Sequence, residues 1–124
     1  MQSSRSEPAA KELCSKILTA TDVGVRLSFP TATMRQHFKL EGGTPLDFQV
    51  RDKYNKVWTF RLYTRNNDSH PKPVLTSGWI DFVKKMGLQV GDRVIFLVHG
   101  NLNQLGIQVQ RNIKLFGHEH WADL

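Results

Sequence analysis

Apolar side chains recur at every second position in four separate segments of this 124-residue chain, and no other feature limits the fold as strongly. Successive side chains of a strand point to opposite faces, so this alternation marks strands with one face buried and one wet. Val25, Leu27 and Phe29 alternate with Arg26 and Ser28, and Leu46, Phe48 and Val50 with Asp47, Gln49 and Arg51. Trp58, Phe60 and Leu62 alternate with Thr59 and Arg61, and Leu105, Ile107 and Val109 with Gly106, Gln108 and Gln110. Residues 93–98 are apolar on both faces and rich in β-formers, which predicts a central strand; 12–18 and 73–76 are weaker strand candidates. Turn signals separate the runs at Gly42-Gly43, at 52–56, at Gly91-Asp92 and at 100–103, and the pieces 46–51 and 57–63 are close enough to form a hairpin.

Two short helices are predicted between the strands. Over 77–86, Trp79, Phe82, Val83 and Met86 form one apolar stripe. Thr76 or Ser77 is expected to cap its start, Asp81 and Lys84-Lys85 suit its two dipole ends, and Gly87 is expected to stop it. The other spans about 31–38, after Pro30, with Met34 near Phe38. Many short strands with few helices predict a mainly β fold, an open barrel with helices plugging its ends.

Residues 1–10 are polar and aperiodic and read as a flexible leader. Seventeen Lys and Arg against 11 Asp and Glu give a formal charge of +6, which favours polyanionic partners, nucleic acid first. A lone cysteine, Cys14, allows no disulfide within the chain, and the longest apolar run, Val94 to Val98, is strand-sized. These features, with no visible signal peptide, predict a soluble intracellular protein. The acidic residues are scattered, and Asp47 and Asp52 sit at odd spacing on opposite faces of one strand, so a metal-dependent nuclease is disfavoured. There is no Gly-rich phosphate loop, Ser28 and the five histidines make no triad spacing, and His118, His120 and Cys14 lack the paired spacing of a metal site. The chain is expected to be no enzyme and to need no cofactor or metal.

Four ordered blocks then resemble the plant B3 DNA-binding domain over roughly residues 11–112. They are Lys16 to Gly24 with Arg26-Leu27-Ser28-Phe29-Pro30; Lys56 to Arg61; Val74 to Trp79 with Phe82-Val83-Lys84; and Leu88 to Asp92 with Val94-Ile95-Phe96. The resemblance implies a seven-stranded open barrel with two short helices, in the nucleus, binding double-stranded DNA in the major groove as part of a transcription factor. It implies two arms. The first, Thr19 to Arg26, carries Thr19, Thr21 and Gly24, with Arg26 matching the arginine of the family's Arg-(Leu or Ile)-x-x-Pro pattern. The second, Thr64 to Lys72, carries Asn66 at the asparagine of the family's Trp-Asn pair, with Arg65 in place of the tryptophan. The family-type domain is placed at 11–113, with a C-terminal tail at 114–124. In that tail Lys114-Leu115-Phe116-Gly117 resembles the Arg/Lys-Leu-Phe-Gly-Val repression motif of plant transcription factors, with His118 at its last position. That likeness implies repression through a corepressor held by these four residues; packing of Leu115 and Phe116 on the barrel is the alternative.

The chemistry of the arms agrees. Arg61, Arg65, Asn66, Asn67, Ser69, His70 and Lys72 supply cations for phosphate and forked or amide donors for base edges, against Asp68 alone. Pro71 and Pro73 reduce the ordering cost of binding. Two other readings stay open: a single-stranded nucleic-acid-binding barrel stacking bases on Tyr54, Trp58 or Tyr63, and a protein-interaction scaffold.

Overall fold

A computed structural model describes residues 10–28, 44–64, 73–99 and 104–124. Its elements are β1 (Ala10–Ile17), α1 (Ala20–Gly24), β2 (Leu27–Ser28), β3 (Leu46–Arg51), β4 (Val57–Tyr63), β5 (Val74–Leu75), α2 (Trp79–Met86), β6 (Arg93–His99), β7 (Gln104–Leu115) and β8 (His118–Asp123). Seven strands follow the order β1-β6-β7-β3-β4-β5-β2, and β8 pairs with β7 off this path. The result is the expected open, curled, mainly β sheet with two short helices. All neighbours are antiparallel except β3 and β7, which meet in one parallel pair, Arg51 with Gly106. Gln110 pairs with Arg93 of β6 and with Asp123 of β8, so β8 runs along the edge of β7 opposite β6. No helix among the described residues is long and apolar enough to cross a membrane.

The alternating strands bury the side chains their pattern selects. Phe48 and Val50 on β3, Phe60 and Leu62 on β4, and Leu105, Ile107 and Val109 on β7 are all buried. The hairpin of β3 and β4 forms in register from Leu46 opposite Leu62 to Arg51 opposite Val57. Helix α2 closes the core: Trp79 and Phe82 are fully buried, and the Phe60 ring meets Phe48, Trp79 and Phe82 at centroid distances of 6.1, 5.9 and 5.8 Å. Edge-on packing of this kind adds to the area term of burying the rings.

Four details depart from the sequence expectations. Helix α2 starts at Trp79, capped by Gly78 in the left-handed region without a side-chain cap. Thr76 and Ser77 are drawn instead into the sheet, since Thr76 N–H donates to Arg61 O and Ser77 O accepts from Arg61 N–H. Val25 is 58% exposed rather than inward, because it caps α1, and β2 begins only at Leu27. The turn around Thr19 and Asp22 is a helical turn, α1, whereas the helix expected over 31–38 lies outside the described residues. Finally, residues 114–124 extend the sheet: β7 continues to Leu115, turns at Phe116-Gly117 and returns as β8.

Three aspartates among the described residues are buried, and each organises a connection. Asp52 Oδ1 accepts from the N–H groups of Tyr54 and Lys56, and its Oδ2 from the Trp58 indole, fixing the β3–β4 turn. Asp92 takes a two-pronged pair from Arg111 and the Gln89 N–H. Asp22, only 1% exposed, accepts from Thr19 N, Thr19 Oγ1, Ser28 N and Lys16 Nζ at 2.8–3.3 Å. Burial alone would push the Asp22 carboxyl up; the hydrogen bonds from Thr19, Lys16 and Ser28 outweigh it and hold the pKa below the ordinary aspartate value.

Two outcomes follow for stability. A Cβ at Gly78 would lie 2.1 Å from Thr59 O, at φ +86. Gly78→Ala is therefore expected to destabilise by at least about 1–3 kcal/mol, read by urea unfolding, and a wild-type midpoint would show that the strand can retreat. Because folding lowers its pKa, Asp22 contributes stability that is full above about pH 5 and is lost as pH falls through the unfolded and then the folded pKa. Asp22→Asn should cost about 1–3 kcal/mol at pH 7 and flatten the acid limb of the stability profile; an unchanged acid limb would assign that limb to other groups.

Candidate nucleic-acid interface

The first arm is a short stapled turn between β1 and β2. Thr19 is the N-cap of α1: its hydroxyl donates to Asp22 Oδ2 at 2.9 Å and accepts from Asp22 N at 3.3 Å, while Asp22 Oδ2 accepts from Thr19 N. This reciprocal capping box satisfies N–H groups that the helix start leaves open. Lys16, on β1, donates to Asp22 Oδ1 at 3.0 Å and to the carbonyl and hydroxyl of Ser28 at 2.8 Å each. The Trp79 indole N–H, from the buried start of α2, donates to Asp22 O at 2.7 Å. The arm is thus tied to both strands that flank it and to the helix beneath it.

What the arm offers outward differs residue by residue. The Thr19 hydroxyl proton is committed to Asp22, which gives Thr19 a positioning part. Thr21, Gly24 and Arg26 are exposed. Thr21 O accepts from the N–H groups of Val25 and Arg26, which folds the chain back so that Arg26 leaves at the surface. Arg26 has no side-chain hydrogen bond or ion pair with another described residue. Around Gly24 nothing lies within 4 Å of an added Cβ, so packing inside the domain does not demand glycine there. A bare backbone at that point leaves room for a close partner.

The second arm joins β4 to β5. Its stems are firm: Tyr63 pairs with Val74, and Thr64 and Pro73 are both buried. The Thr64 hydroxyl is buried without a hydrogen-bond partner. Arg65, Asn66, Asn67, Ser69, His70 and Lys72 lie outside the described residues. Arg61, expected among the free cations, instead pairs with Asp47 directly across the hairpin, Nε to Oδ1 at 2.8 Å and Nη2 to Oδ2 at 3.2 Å. The hydrogen bond from Arg61 holds the Asp47 carboxyl below its ordinary range. Both side chains are about half exposed, so solvent screens the pair.

Pairing joins the strands that carry the two arms. Leu27 and Ser28 of β2 pair with Leu75 and Val74 of β5, which pair in turn with Leu62 and Tyr63 of β4. Arg26, one residue before Leu27, stands at the Leu75 end of this ladder, and the second arm joins it at the Val74 end, two residues or roughly 7 Å away along the strand. Sequence reasoning missed Lys16 as a clamp and Trp79 as a donor to the arm. The Thr19-x-x-Asp22 spacing was the readable part of that network.

Comparison with known proteins places this geometry. Residues 14–112 match the family described as B3 DNA binding domain. The chain is 44% identical over 87 residues to the B3 domain-containing transcription factor NGA4 of Arabidopsis thaliana, covering 65% of this chain and 25% of the relative. It is 34% identical over 102 residues to the AP2/ERF and B3 domain-containing transcription repressor TEM1 of the same plant, covering 71% and 27%. In structure it is similar to the protein of the Arabidopsis FUS3-DNA complex, with a TM-score of 0.68, 28% identity, and coverage of 80% of this chain and 96% of that one. The chain spans between about a quarter and a half of the length of the curated relatives it matches. With the matched region running from inside β1 to within β7 and enclosing both arms, the chain belongs to the B3 DNA binding domain family.

Proposed function

We propose that this domain binds double-stranded DNA sequence-specifically in the major groove, as the DNA-reading part of a nuclear plant transcription factor. The observation that carries the reading is Arg26: a guanidinium without a partner among the described residues, on an arm stapled by Asp22, entering a strand paired with the one that follows a second polar arm. A planar, forked donor held in this way suits the O6/N7 edge of guanine. Asn66 suits adenine, Arg65 a second guanine, and Lys72 a phosphate, where a compact ammonium needs no fixed geometry. Thr21, Ser69, Asn67 and His70 supply further donors, Gly24 allows close approach, and Arg61 exchanges Asp47 for the backbone. The likeness to a protein solved with DNA supports this assignment over a single-stranded or purely scaffolding barrel. Relatives named as transcription factors favour binding over catalysis.

The tail adds a finer reading, repression through a corepressor bound by Lys114, Leu115, Phe116 and Gly117. The four residues form the tip of the β7–β8 hairpin, where Leu115 pairs with His118 across the two-residue turn Phe116-Gly117. Phe116 has φ 51 and is 95% exposed, so it does not pack on the barrel as the alternative required. A large apolar side chain in a left-handed position carries strain and gains no burial here, which favours a partner that covers the ring. One relative is named a transcription repressor, in keeping with this reading.

The test of DNA reading begins with random-site selection on the purified domain. Arg26→Ala and Arg65→Ala are expected to lose about 1–3 kcal/mol on the selected site and to relax preference at one or two positions. Lys72→Ala should weaken all sequences alike and lower the salt slope by about one. Equal losses on specific and mismatched sites for both arginine variants would show that the arms grip only the backbone. For the tail, Phe116→Asn preserves a turn that favours left-handed residues while removing the ring. It should leave folding and DNA affinity unchanged and abolish repression in a reporter assay; full repression by this variant would refute the corepressor reading.

A further inference from the structure

Helix α1 stops at the carbonyl of Asp22. In a continuing helix this oxygen would accept the N–H of Arg26, four residues on, or in a tightened last turn that of Val25. Both N–H groups go instead to Thr21 O, at 3.1 and 2.9 Å. The Trp79 indole N–H takes the vacated place, at 2.7 Å. Val25 then leaves the helix with φ −130 and ψ −66, and two residues later Leu27 is fully buried in β2. Arg26 is the exposed residue between these two points. The donor has little freedom of its own. Trp79 is fully buried, with its ring centroid 5.9 Å from that of Phe60 and 5.8 Å from that of Phe82. Gly78, just before it, lets the chain pass so close to β4 that a Cβ there would collide with Thr59 O.

We propose that Trp79 is a positioning residue for base recognition: by capping α1 at Asp22 O it sets the direction in which Arg26 leaves the arm, and so the base that Arg26 selects. The inference rests on the DNA-reading function proposed above and assigns part of its specificity to a side chain that no duplex reaches. The bonds to the Asp22 carboxylate tie the arm to its flanking strands. The indole acts at the other end, where the helix gives way to the residue that faces outward. A buried hydrogen bond is stronger than one in water, and an unpaired carbonyl there is costly, so the helix end has one favoured place. Two parallel hydrogen bonds to one base edge need the guanidinium plane held to within about 0.5 Å. A cap one helical turn before Arg26 acts on that tolerance directly.

The test replaces Trp79 in the full chain by benzothienylalanine, in which sulfur stands for the indole N–H, so the ring keeps its size and loses its donor. Trp79→Phe, which also lacks the donor, is the second variant. The isostere should melt cooperatively, and the amide resonances of Val25 and Arg26 should shift in the free protein while those of β8 stay in place. Its affinity for the duplex selected by the wild type should fall about tenfold, the size of one forked base contact. Duplexes already altered at the base that Arg26 reads should bind it as they bind the wild type. In an Arg26→Ala background the isostere should add no further loss, since the cap acts through that side chain. Trp79→Phe should relax preference at the same position. The proposal is overturned if the isostere keeps the wild-type site and affinity, if its loss adds in full to that of Arg26→Ala, or if it weakens all duplexes alike. An isostere that no longer melts cooperatively would make the hydrogen bond a folding contact and overturn it as well. A wild-type domain that selects no duplex would instead sink the DNA-reading function itself, and the role of the cap with it, so selection on the wild type tells the two failures apart.

Discussion

The buried carboxylate of Asp22 is the contact on which the presentation of the first arm depends. Removing an ionised carboxylate from water is tolerable only when hydrogen bonds and opposite charge replace the lost hydration. Four donors from three parts of the chain meet that demand here: Lys16 on β1, Thr19 at the start of α1 and Ser28 on β2. Each donor is thereby fixed relative to the others. A segment that ends β1, makes one helical turn and enters a two-residue strand gains a single geometry from one side chain. The carbonyl of the same residue receives the Trp79 indole, which joins the arm to the core.

That core is built around Phe60. Its strand carries the second arm, and the rings it touches belong to β3 and to α2. Both arms are therefore referred to one aromatic cluster, the first through Trp79 and the second through β4. Asp52 and Asp92 repeat the Asp22 device at the other connections, one holding the Trp58 indole and one holding Arg111. Among the described residues, the three buried aspartates stand where the backbone turns, and each accepts several hydrogen bonds.

The strands were legible because alternation reports burial directly. Phe48, Val50, Phe60 and Leu62 are inside as the period requires, and the expected β3–β4 hairpin forms. The pattern failed where a local structure competed with the strand period, as at Val25, which ends α1 before β2 begins. Capping of α2 by Gly78 was not legible either, since it depends on Thr59 O approaching from another strand. In the first arm the residue types were readable, but not the split between outward Arg26 and inward Thr19, because that split depends on Lys16 and Ser28, distant in sequence. Arg61 looked like a free cation because its partner Asp47 is fourteen positions away and becomes a neighbour only across the hairpin.

The single parallel pair between Arg51 and Gly106 makes the sheet two antiparallel ribbons rather than one continuous fabric. One ribbon is β1-β6-β7 with β8, the other β3-β4-β5-β2. Within each, β3–β4 and β6–β7–β8 join strands that are adjacent in sequence, so those pairings close short loops. The β1–β6 and β2–β5 pairings span long stretches of chain. Bending at the Arg51–Gly106 seam strains one ladder pair instead of many, so side-chain packing across the seam, more than backbone pairing, sets the angle between the ribbons. The first arm bridges them, leaving β1 of one and entering β2 of the other. The contact that fixes the first arm is therefore also a tie between the two ribbons, since Asp22 is bonded by Lys16 of one and Ser28 of the other.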